Sequence, residues 1–336
     1  MSKLIGGIDF GPIWVMSGTL NFFGGGWPFH KVLKKLFPKG FRFDGITFVA
    51  KTTTLHHRIF PQAGNLPMRE DGITPKELFP TCIIIGWWQW LWGVMLNAVG
   101  LSGPGARDLL ARGQWQQMTK RFMISFMSVA GTVEERLKEF EEFLQLLVPE
   151  IPKFKAAVGM QVNISCPNVK AGGKSDAIII EEGFGYMNLM AHYVPQVPGI
   201  FKVNTLMRPE TAVMLSMHPQ CGGVCVSNTL PWSAMKWWQK MLYFPSSIFT
   251  GKSPLDRFGG GGLSGRPLLP LVEQWVRDVR LAGFEKHINA GGGITCVDDV
   301  DRLYLAGADS VSVGSVAALR PWRLRSIRNR AQKMFV

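Results

Sequence analysis

The stretch from Phe122 to Ser165 decides the fold class of this chain, because it alternates between two kinds of segment. It reads FMISFMSV at 122–129, TVEERLKEFEEFLQLL at 132–147 and MQVNIS at 160–165. The outer segments are short apolar runs bounded by turn-forming residues, which is typical of buried strands. The middle segment opens on a T-x-x-E capping box at Thr132 and carries its apolar residues on one helical face. A strand, a helix and a second strand in succession predict a parallel α/β sheet.

The same alternation continues along the chain and predicts a (β/α)8 TIM barrel. Two further helical patterns cover Leu268–Leu281 and Val297–Leu305. The other apolar strand candidates are Gly45–Ala50, Gly199–Val203, Gly223–Val226, His287–Ala290 and Ser310–Val313. An open doubly wound sheet is the alternative, but no G-x-G-x-x-G opens a helix after the first strand. We therefore expect residues 1–336 to form a single barrel domain with parallel strands.

Composition and charge limit the classes of function. Hydrophobic residues make up 46% of the 336 residues and charged residues 18%, which is enough apolar material for a large core. Lys and Arg number 37 against 24 Asp and Glu, a net charge of +13 that favours anionic partners. No nucleic-acid-binding motif accompanies this charge, so we expect no nucleic acid. Two near-matches to a phosphate loop, at Gly173 and Gly251, lack its first glycine, which argues against ATP or GTP hydrolysis.

The cysteines and the N-terminus favour a reducing compartment. The chain has five scattered cysteines, too few and too unevenly spaced for a disulfide framework, and no histidine cluster completes a metal site. The N-terminal MSKLIGGIDFGPIW lacks the apolar core of a signal peptide. The expectation is a cytoplasmic protein without a structural metal.

The segment Asn163–Asn168, which reads NISCPN, carries the clearest chemistry in the sequence. It follows an apolar strand, and the carboxyl ends of barrel strands are where catalytic residues lie. Asn163 and Asn168 offer amide donors and acceptors, and Cys166 offers a thiol that acts as a base once it is deprotonated. The alternative interpretation of this segment alone is a loop of asparagine turns with an inert cysteine.

Several other strings occur in an order that resembles the dihydroorotate dehydrogenase family. The resemblance extends from about Gly11 to about Ala318 and rests on the segments 17–19 (SGT), 51–54 (KTTT), 65–69 (NLPMR), 96–101 (LNAVGL), 163–168 (NISCPN), 201–204 (FKVN), 227–229 (SNT), 262–265 (GLSG), 290–294 (AGGGI) and 313–315 (VGS). The cysteine at position 166 is similar to the base of the soluble class 1 branch. The form of residues 96–101 resembles the class 1 subgroup that works with an electron-transfer subunit.

The resemblance implies FMN as the cofactor and dihydroorotate as the substrate. Backbone N–H groups in glycine turns that follow barrel strands bind phosphate, and a lysine beside the flavin stabilises its reduced anion. The residues expected to bind FMN are Ser17, Gly18, Lys51, Thr52, Asn97, Asn163, Lys202, Gly265, Gly292, Gly293, Gly314 and Ser315. Those expected to bind dihydroorotate or orotate are Lys51, Asn97, Gly100, Leu101, Asn163, Asn168, Asn228 and Thr229.

The implied reaction is the oxidation of dihydroorotate to orotate in de novo pyrimidine biosynthesis. Cys166 would take a proton from C5 while the hydride at C6 passes to flavin N5. Fumarate, NAD through a partner subunit, and quinone stay open as electron acceptors, and the family implies a homodimer or a larger assembly. One alternative is a dihydropyrimidine dehydrogenase-like flavin reductase. The other is a catalytically inactive basic barrel that binds acidic lipid or nucleic acid.

Three segments depart from the family pattern. A charge-free, Trp-rich insertion covers about 78–95, an expanded loop covers about 231–258, and a basic tail covers 320–336. Aromatic surface flanked by basic residues suits a protein interface or a peripheral contact with the inner membrane surface. Extra core packing by a lid over the site is the alternative for the first two segments.

Overall fold

The protein is described by a computed structural model over residues 4–165 and 175–335. Its strands in chain order are β1 (Ile13–Val15), β2 (Phe48–Val49), β3 (Ile83–Ile84), β4 (Val94–Asn97), β5 (Phe122–Phe126), β6 (Val158–Asn163), β7 (Gly199–Val203), β8 (Cys221–Val226), β9 (Leu230–Pro231), β10 (Gly262–Gly265), β11 (His287–Gly291) and β12 (Ser310–Val313). Its α-helices are α1 (Pro28–Leu36), α2 (Trp87–Trp92), α3 (Ala106–Ala111), α4 (Val133–Leu147), α5 (Asp176–Tyr193), α6 (Pro209–Ser216), α7 (Trp237–Tyr243), α8 (Ser247–Thr250), α9 (Leu269–Leu281), α10 (Val297–Leu305), α11 (Val316–Leu319) and α12 (Leu324–Met334).

Eight parallel strands form the predicted barrel. They pair in the order β1, β12, β11, β8, β7, β6, β5 and β2. The two end strands meet through Thr47, whose N–H donates to Ile13 O and whose carbonyl accepts from Val15 N, both at 2.9 Å. All eight strands therefore present their carboxyl ends on one rim, which confirms the TIM-barrel prediction.

The outer helices follow the sequence pattern closely. Helix α4 begins after Thr132, whose hydroxyl accepts from Glu135 N at 3.2 Å while the Glu135 carboxylate accepts from Thr132 N at 3.0 Å. Its apolar face packs onto the barrel, and the Phe143 ring stacks on Phe126 of β5 with a centroid distance of 4.2 Å. The helical patterns predicted for 268–281 and 297–305 correspond to α9 and α10.

A separate apolar cluster fills the amino-terminal end of the barrel interior. It consists of Ile5, Phe10, Trp14, Val49, Met123, Ile200 and Cys225. The Trp14 ring stacks on His287 with a centroid distance of 5.6 Å and an interplanar angle of 9°. Because side chains close this end, a ligand can enter the barrel only from the carboxyl rim.

A second, antiparallel sheet lies at that rim, in the order β3, β4, β10 and β9. Asn97 of β4 lies opposite Gly262 of β10 and Ile83 of β3. Two of the three segments that depart from the family pattern belong to this sheet: α2 connects β3 to β4, and α7 and α8 lie between β9 and β10. The expanded region at 231–258 is thus partly helical. Most of the basic tail also forms a helix, α12, which packs on α10.

None of the helices in the described ranges is both long enough and apolar enough to span a bilayer.

A buried ion pair joins α4 to α5. Arg136 donates from Nε to Glu182 Oε1 at 2.8 Å and from a terminal nitrogen to Oε2 at 2.9 Å. The Tyr186 hydroxyl also donates to Glu182 Oε1, at 2.8 Å. Both charged side chains are less than a tenth exposed. Removing one partner of such a pair leaves the other charge buried without compensation.

We expect Glu182→Gln to lower the free energy of unfolding by about 3 kcal/mol, because Gln keeps the shape but not the charge that balances Arg136. Chemical unfolding followed by circular dichroism measures this change. Asp108→Asn is the matched control, since it breaks the exposed Arg112–Asp108 pair and should cost less than about 1 kcal/mol. Equal losses in the two variants would contradict the assignment of Arg136 and Glu182 as a structurally important pair.

Candidate functional site

The carboxyl rim of the barrel brings together most of the residues predicted to form a site. Ser17 follows β1, Lys51 and Thr52 follow β2, and Asn228 follows β8. Other predicted residues at the rim are Asn163 at the end of β6, Lys202 in β7, Gly292 and Gly293 after β11, and Gly314 and Ser315 after β12. Parallel strands that close into a barrel require this convergence, since all carboxyl ends point the same way.

A chain of hydroxyl groups joins the first strands of the rim. The Ser17 hydroxyl lies 2.8 Å from the Thr52 hydroxyl and also accepts from Thr52 N at 2.9 Å. The Thr52 hydroxyl lies 2.9 Å from Ser125 Oγ, inside β5, and accepts from Asn163 Nδ2 at 3.4 Å. These contacts hold the Asn163 amide in a single orientation over the barrel interior.

Asn163 and Asn228 are joined by a direct hydrogen bond. Asn228 Nδ2 donates to Asn163 Oδ1 at 3.1 Å and to Ser165 Oγ at 3.3 Å. Ser165 in turn donates to the carbonyl of Lys202 at 3.1 Å. Thr229 N donates to Asn228 Oδ1 at 3.0 Å, while the buried Thr229 hydroxyl has no hydrogen-bond partner within the described part of the chain. A buried hydroxyl without a partner is costly, so it is available to a ligand.

Two buried lysines lie at the same rim. Lys51 and Lys202 are each only 6% exposed. Lys51 Nζ donates to Ser102 O at 2.5 Å and lies 4.8 Å from the centroid of the Phe22 ring. Lys202 lies beside Asn163 in the register of β6 and β7. Two buried cations this close to the barrel mouth favour an anionic or electron-rich ligand between them.

The segment 97–102 lies against Lys51 and is fixed by three side chains. Asn65 Nδ2 donates to Ala98 O at 2.6 Å, and Arg58 Nε donates to Gly100 O at 2.9 Å. Gly100 and Leu101 both have positive φ angles, 66° and 60°. The predicted substrate residues Gly100 and Leu101 therefore sit in a rigid turn that the Lys51–Ser102 bond connects to the rim. Asn97 precedes this turn in the second sheet.

Glycine turns from three elements pack against one another on the other side of the rim. A Cβ on Gly293 would lie 2.6 Å from Leu269 N and 3.0 Å from Gly265 O, so only glycine lets these turns approach. A Cβ on Gly314 would lie 3.1 Å from Met16 Cβ, which places the turn after β12 against the end of β1. Among the described residues, the N–H groups of Gly292, Gly293 and Ser315 donate no hydrogen bond. Unpaired N–H groups in such turns fit a phosphate group.

Beside β1, the space next to Gly18 is open. Gly18 has a φ of +93°, and an added Cβ there would meet no atom within 4 Å. Its carbonyl accepts from Trp27 Nε1 at 2.7 Å, which holds the turn in place. The open edge between Ser17 and the glycine turns is where a flat ring system attached to a phosphate could lie.

The predicted base Cys166 and the predicted substrate residue Asn168 lie outside the described residues. Ser165, the residue before Cys166, lies at the rim beside Asn228 and Lys202. Burial raises the pKa of Cys82, Cys221 and Cys225 to about 11 and also raises the pKa of Cys296. These four thiols stay protonated at neutral pH and are poor candidates for a catalytic base.

Several residues that hold the site were not predicted from the sequence. Ser125 could have been found, since the alternation in FMISF points Met123 and Ser125 inward while Phe122, Ile124 and Phe126 point outward. Ser102 carries no such signal, because its carbonyl reaches Lys51 across 51 residues of sequence. No sequence pattern indicates that Phe22 lies against the Lys51 ammonium.

Comparison with curated proteins finds dihydroorotate dehydrogenases. The dihydroorotate dehydrogenase B (NAD(+)) catalytic subunit of Listeria innocua is 30% identical over 237 residues, covering 68% of this chain and 68% of that one. The subunits of the same name from Listeria monocytogenes and Geobacillus kaustophilus are 29% and 28% identical, over 68% of this chain and 68% and 67% of theirs. No family model matches the chain.

Comparison with solved structures supports the fold. The crystal structure of DHODH from Eimeria tenella in complex with ferulenol matches with a TM-score of 0.65 and 16% sequence identity, covering 99% of this chain and 87% of that one. The ligand-free structure of the same protein matches with a TM-score of 0.63. By the identity and coverage of its Listeria innocua relative, the chain belongs to the dihydroorotate dehydrogenase family.

Proposed function

We propose that the protein oxidises dihydroorotate to orotate with FMN bound at the carboxyl rim. The observation that carries this proposal is the rim itself, where two buried lysines and the bonded amides of Asn163 and Asn228 lie between glycine turns and a rigid substrate turn. The curated relatives named above carry the same activity in their names. A flat heterocyclic acid beside a phosphate-bearing cofactor matches this distribution of charge and hydrogen-bonding groups.

The described residues fit both ends of FMN, its phosphate and its flavin ring. The unpaired N–H groups of Gly292, Gly293 and Ser315 would bind the phosphate, with Gly265 and Gly314 allowing the close approach. At the other end, Ser17, Gly18, Thr52 and Asn163 would line the ring, with Lys51 and Lys202 beside it. We propose Asn97 as a further contact from the second sheet. Bound FMN supplies the acceptor for the hydride.

The substrate would lie between the amides and the substrate turn. Asn163, Asn228 and Thr229 offer donors and acceptors to the pyrimidine ring, and the Lys51 ammonium offers a cation to the carboxylate. Gly100 and Leu101 would contact the carboxylate end through the backbone. Asn168 and Asn97 complete the proposed set of substrate residues. Because the amides already bond to one another, they are oriented before the substrate binds.

Cys166 is the proposed general base. Its thiolate takes the C5 proton, the hydride leaves C6, and a C5=C6 double bond forms in orotate. The proton ends on sulfur and the two electrons leave with the hydride. The placement of Ser165 among Asn228 and Lys202 supports this role, since Cys166 is bonded to it directly.

We also propose which electron acceptor and which substrate the site uses. The names of the relatives, which are catalytic subunits of an NAD(+)-dependent enzyme, favour an electron-transfer partner subunit over fumarate or quinone as the acceptor. Dihydropyrimidine reduction by the same site is the second candidate, since it would use the same amides and thiol. The Lys51 ammonium favours a substrate that carries a carboxylate, which distinguishes dihydroorotate from dihydrouracil.

Anaerobic mixing with dihydroorotate should bleach the flavin absorbance of the purified protein, whereas dihydrouracil should do so at least about a hundredfold more slowly. Stopped-flow spectroscopy measures both rates.

The Cys166→Ala variant should keep its FMN, but its rate of flavin reduction by dihydroorotate should fall by about a hundredfold or more, since general base catalysis contributes that much. A protein that cannot be loaded with FMN, or an Ala variant that is reduced at the wild-type rate, would refute the respective assignment.

The rate of flavin reduction should rise with pH towards the pKa of an ordinary thiol, about 8.5, because only the thiolate accepts the proton. Alkylation of Cys166 by iodoacetamide should follow the same pH dependence, because the thiolate is also the form that reacts with this reagent. Burial holds the pKa of Cys82, Cys221 and Cys225 near 11, so they stay thiols below about pH 10 and should react slowly. Mass spectrometry should find the fast label on Cys166, and orotate should protect it. Fast labelling that persists in Cys166→Ala would contradict the prediction.

Gly293→Ala should weaken FMN binding by about tenfold or more, because the added Cβ meets backbone atoms of two neighbouring turns and displaces the N–H groups. Fluorescence titration of the apoprotein with FMN measures the affinity. Gly283→Ala is the matched control, since Gly283 has a similar φ of +94° but open space around its Cβ. The control should lose some stability and keep its FMN affinity. Equal loss of affinity in both variants would remove the phosphate assignment.

A further inference from the structure

The second sheet carries an exposed aromatic surface that the proposed reaction does not use. This aromatic surface consists of Trp87, Trp90 and Leu91 of α2, Trp237, Trp238 and Met241 of α7, and Phe249 of α8. Trp87 is 75% exposed, Trp237 is 71% exposed and Phe249 is 90% exposed. Side chains of this size rarely project so far into solvent in one cluster unless the surface binds a partner or a membrane.

Helix α7 of this surface buries a polar side chain and exposes apolar ones. In α7 the polar Gln239 is buried, while the two tryptophans that precede it, Trp237 and Trp238, are exposed. Helices α2 and α7 are fixed to each other, because Trp88 Nε1 donates to Leu242 O and Gln89 Nε2 donates to Tyr243 O, both at 2.8 Å. The exposed rings therefore belong to one ordered platform and do not cover the barrel as a lid.

Basic residues accompany the helices of the aromatic surface. Residues 78–106 include no charged side chain, and residues 231–258 include one acid, Asp256. Lys236 and Lys240 lie at the start of α7 and within it, and Lys252 follows α8. Arg266 and Arg320 donate hydrogen bonds to the end of α2. The surface therefore complements an anionic partner in both its apolar and its charged parts.

Arg320 connects this charge to α2. Its guanidinium donates to Trp90 O at 2.7 Å and to Leu91 O at 3.1 Å, and it lies 4.7 Å from the Trp90 ring centroid. Burial and the neighbouring charges of Arg323 and Arg266 lower the pKa of Arg320. The positive charges of Arg320, Arg323 and Arg266 repel one another. An anion such as a phosphate that binds among them would reduce this repulsion.

We propose that this surface docks the protein peripherally on a bilayer of anionic phospholipid. The aromatic side chains would insert at the level of the headgroups, and the surrounding lysines and arginines would bind lipid phosphates. A protein partner of matching shape would need a complementary acidic surface around the same rings. Projecting rings with cations at their edges fit the membrane interface without that requirement.

Docking would also orient the proposed active site. Arg266 follows Gly265 of the glycine turns, and its N–H donates to Gly93 O, at the end of α2, at 2.9 Å. The platform and the phosphate end of the site are therefore adjacent. The proposal does not depend on the reaction, since lipid binding can be measured without flavin or substrate.

Flotation of the full chain with vesicles tests this proposal. The protein should float with vesicles of phosphatidylcholine and phosphatidylserine at low salt, and much less with phosphatidylcholine alone or at high salt. The triple variant Trp87→Ala, Trp237→Ala, Phe249→Ala should lose binding by about tenfold or more, because it removes the most exposed rings. Leu281→Ala with Leu305→Ala is its control, since both leucines are exposed at the ends of α9 and α10.

Charge reversal separates the cationic contribution from the apolar one. The double variant Lys236→Glu, Lys252→Glu should bind anionic vesicles about tenfold more weakly. The control variant Lys120→Glu, Lys155→Glu makes the same change in net charge at exposed positions that precede β5 and β6, and it should bind like wild type. Thermal unfolding of each variant verifies that it is folded. Three results would overturn the proposal: no flotation at low salt, equal losses in test and control variants, or an aromatic surface that drives self-association of the chain without binding vesicles.

Discussion

Closure of the barrel between β1 and β2 is the constraint on which the site depends. Two hydrogen bonds through Thr47 join strands that are far apart in the sheet order and turn an eight-strand sheet into a ring. The ring brings the ends of β1 and β2 next to each other, and Ser17 can then bond to Thr52. An open sheet would leave these two residues on opposite edges, and the chain of hydroxyls and amides that begins with them could not form.

The polar rim lies at the opposite end of the barrel from an apolar cluster. The apolar cluster around Trp14 and Met123 fills the amino-terminal end of the barrel interior. The polar side chains near the carboxyl end satisfy one another: Thr52 with Ser125, and Asn163 with Asn228. Such a network is stable only when nearly every member has a partner, which is why it also orients the amides that we assign to the substrate.

The second sheet adds two structural features to this barrel. Its β4 strand leads into the turn at Gly100 and Leu101, which Lys51 holds against the rim through Ser102. Its helices α2 and α7 turn apolar side chains outward. Under the two proposals made above, one sheet would carry both the substrate turn and the membrane-docking surface, so the position of the bilayer would be coupled to the entrance of the site.

The sequence by itself determined the parallel α/β class, the six barrel strands from Phe122 onward, the helices α4, α9 and α10, and the resemblance to the family. These features depend on patterns among residues that are near one another in the chain, such as alternation in a strand or a capping box at Thr132. Only the tertiary structure decided that β1, a strand of three residues, closes the barrel, that Ser125 supports Thr52 from 73 residues away, and that α7 exposes its tryptophans. Those outcomes depend on strand register and on packing between distant segments, and no local pattern of residues encodes them.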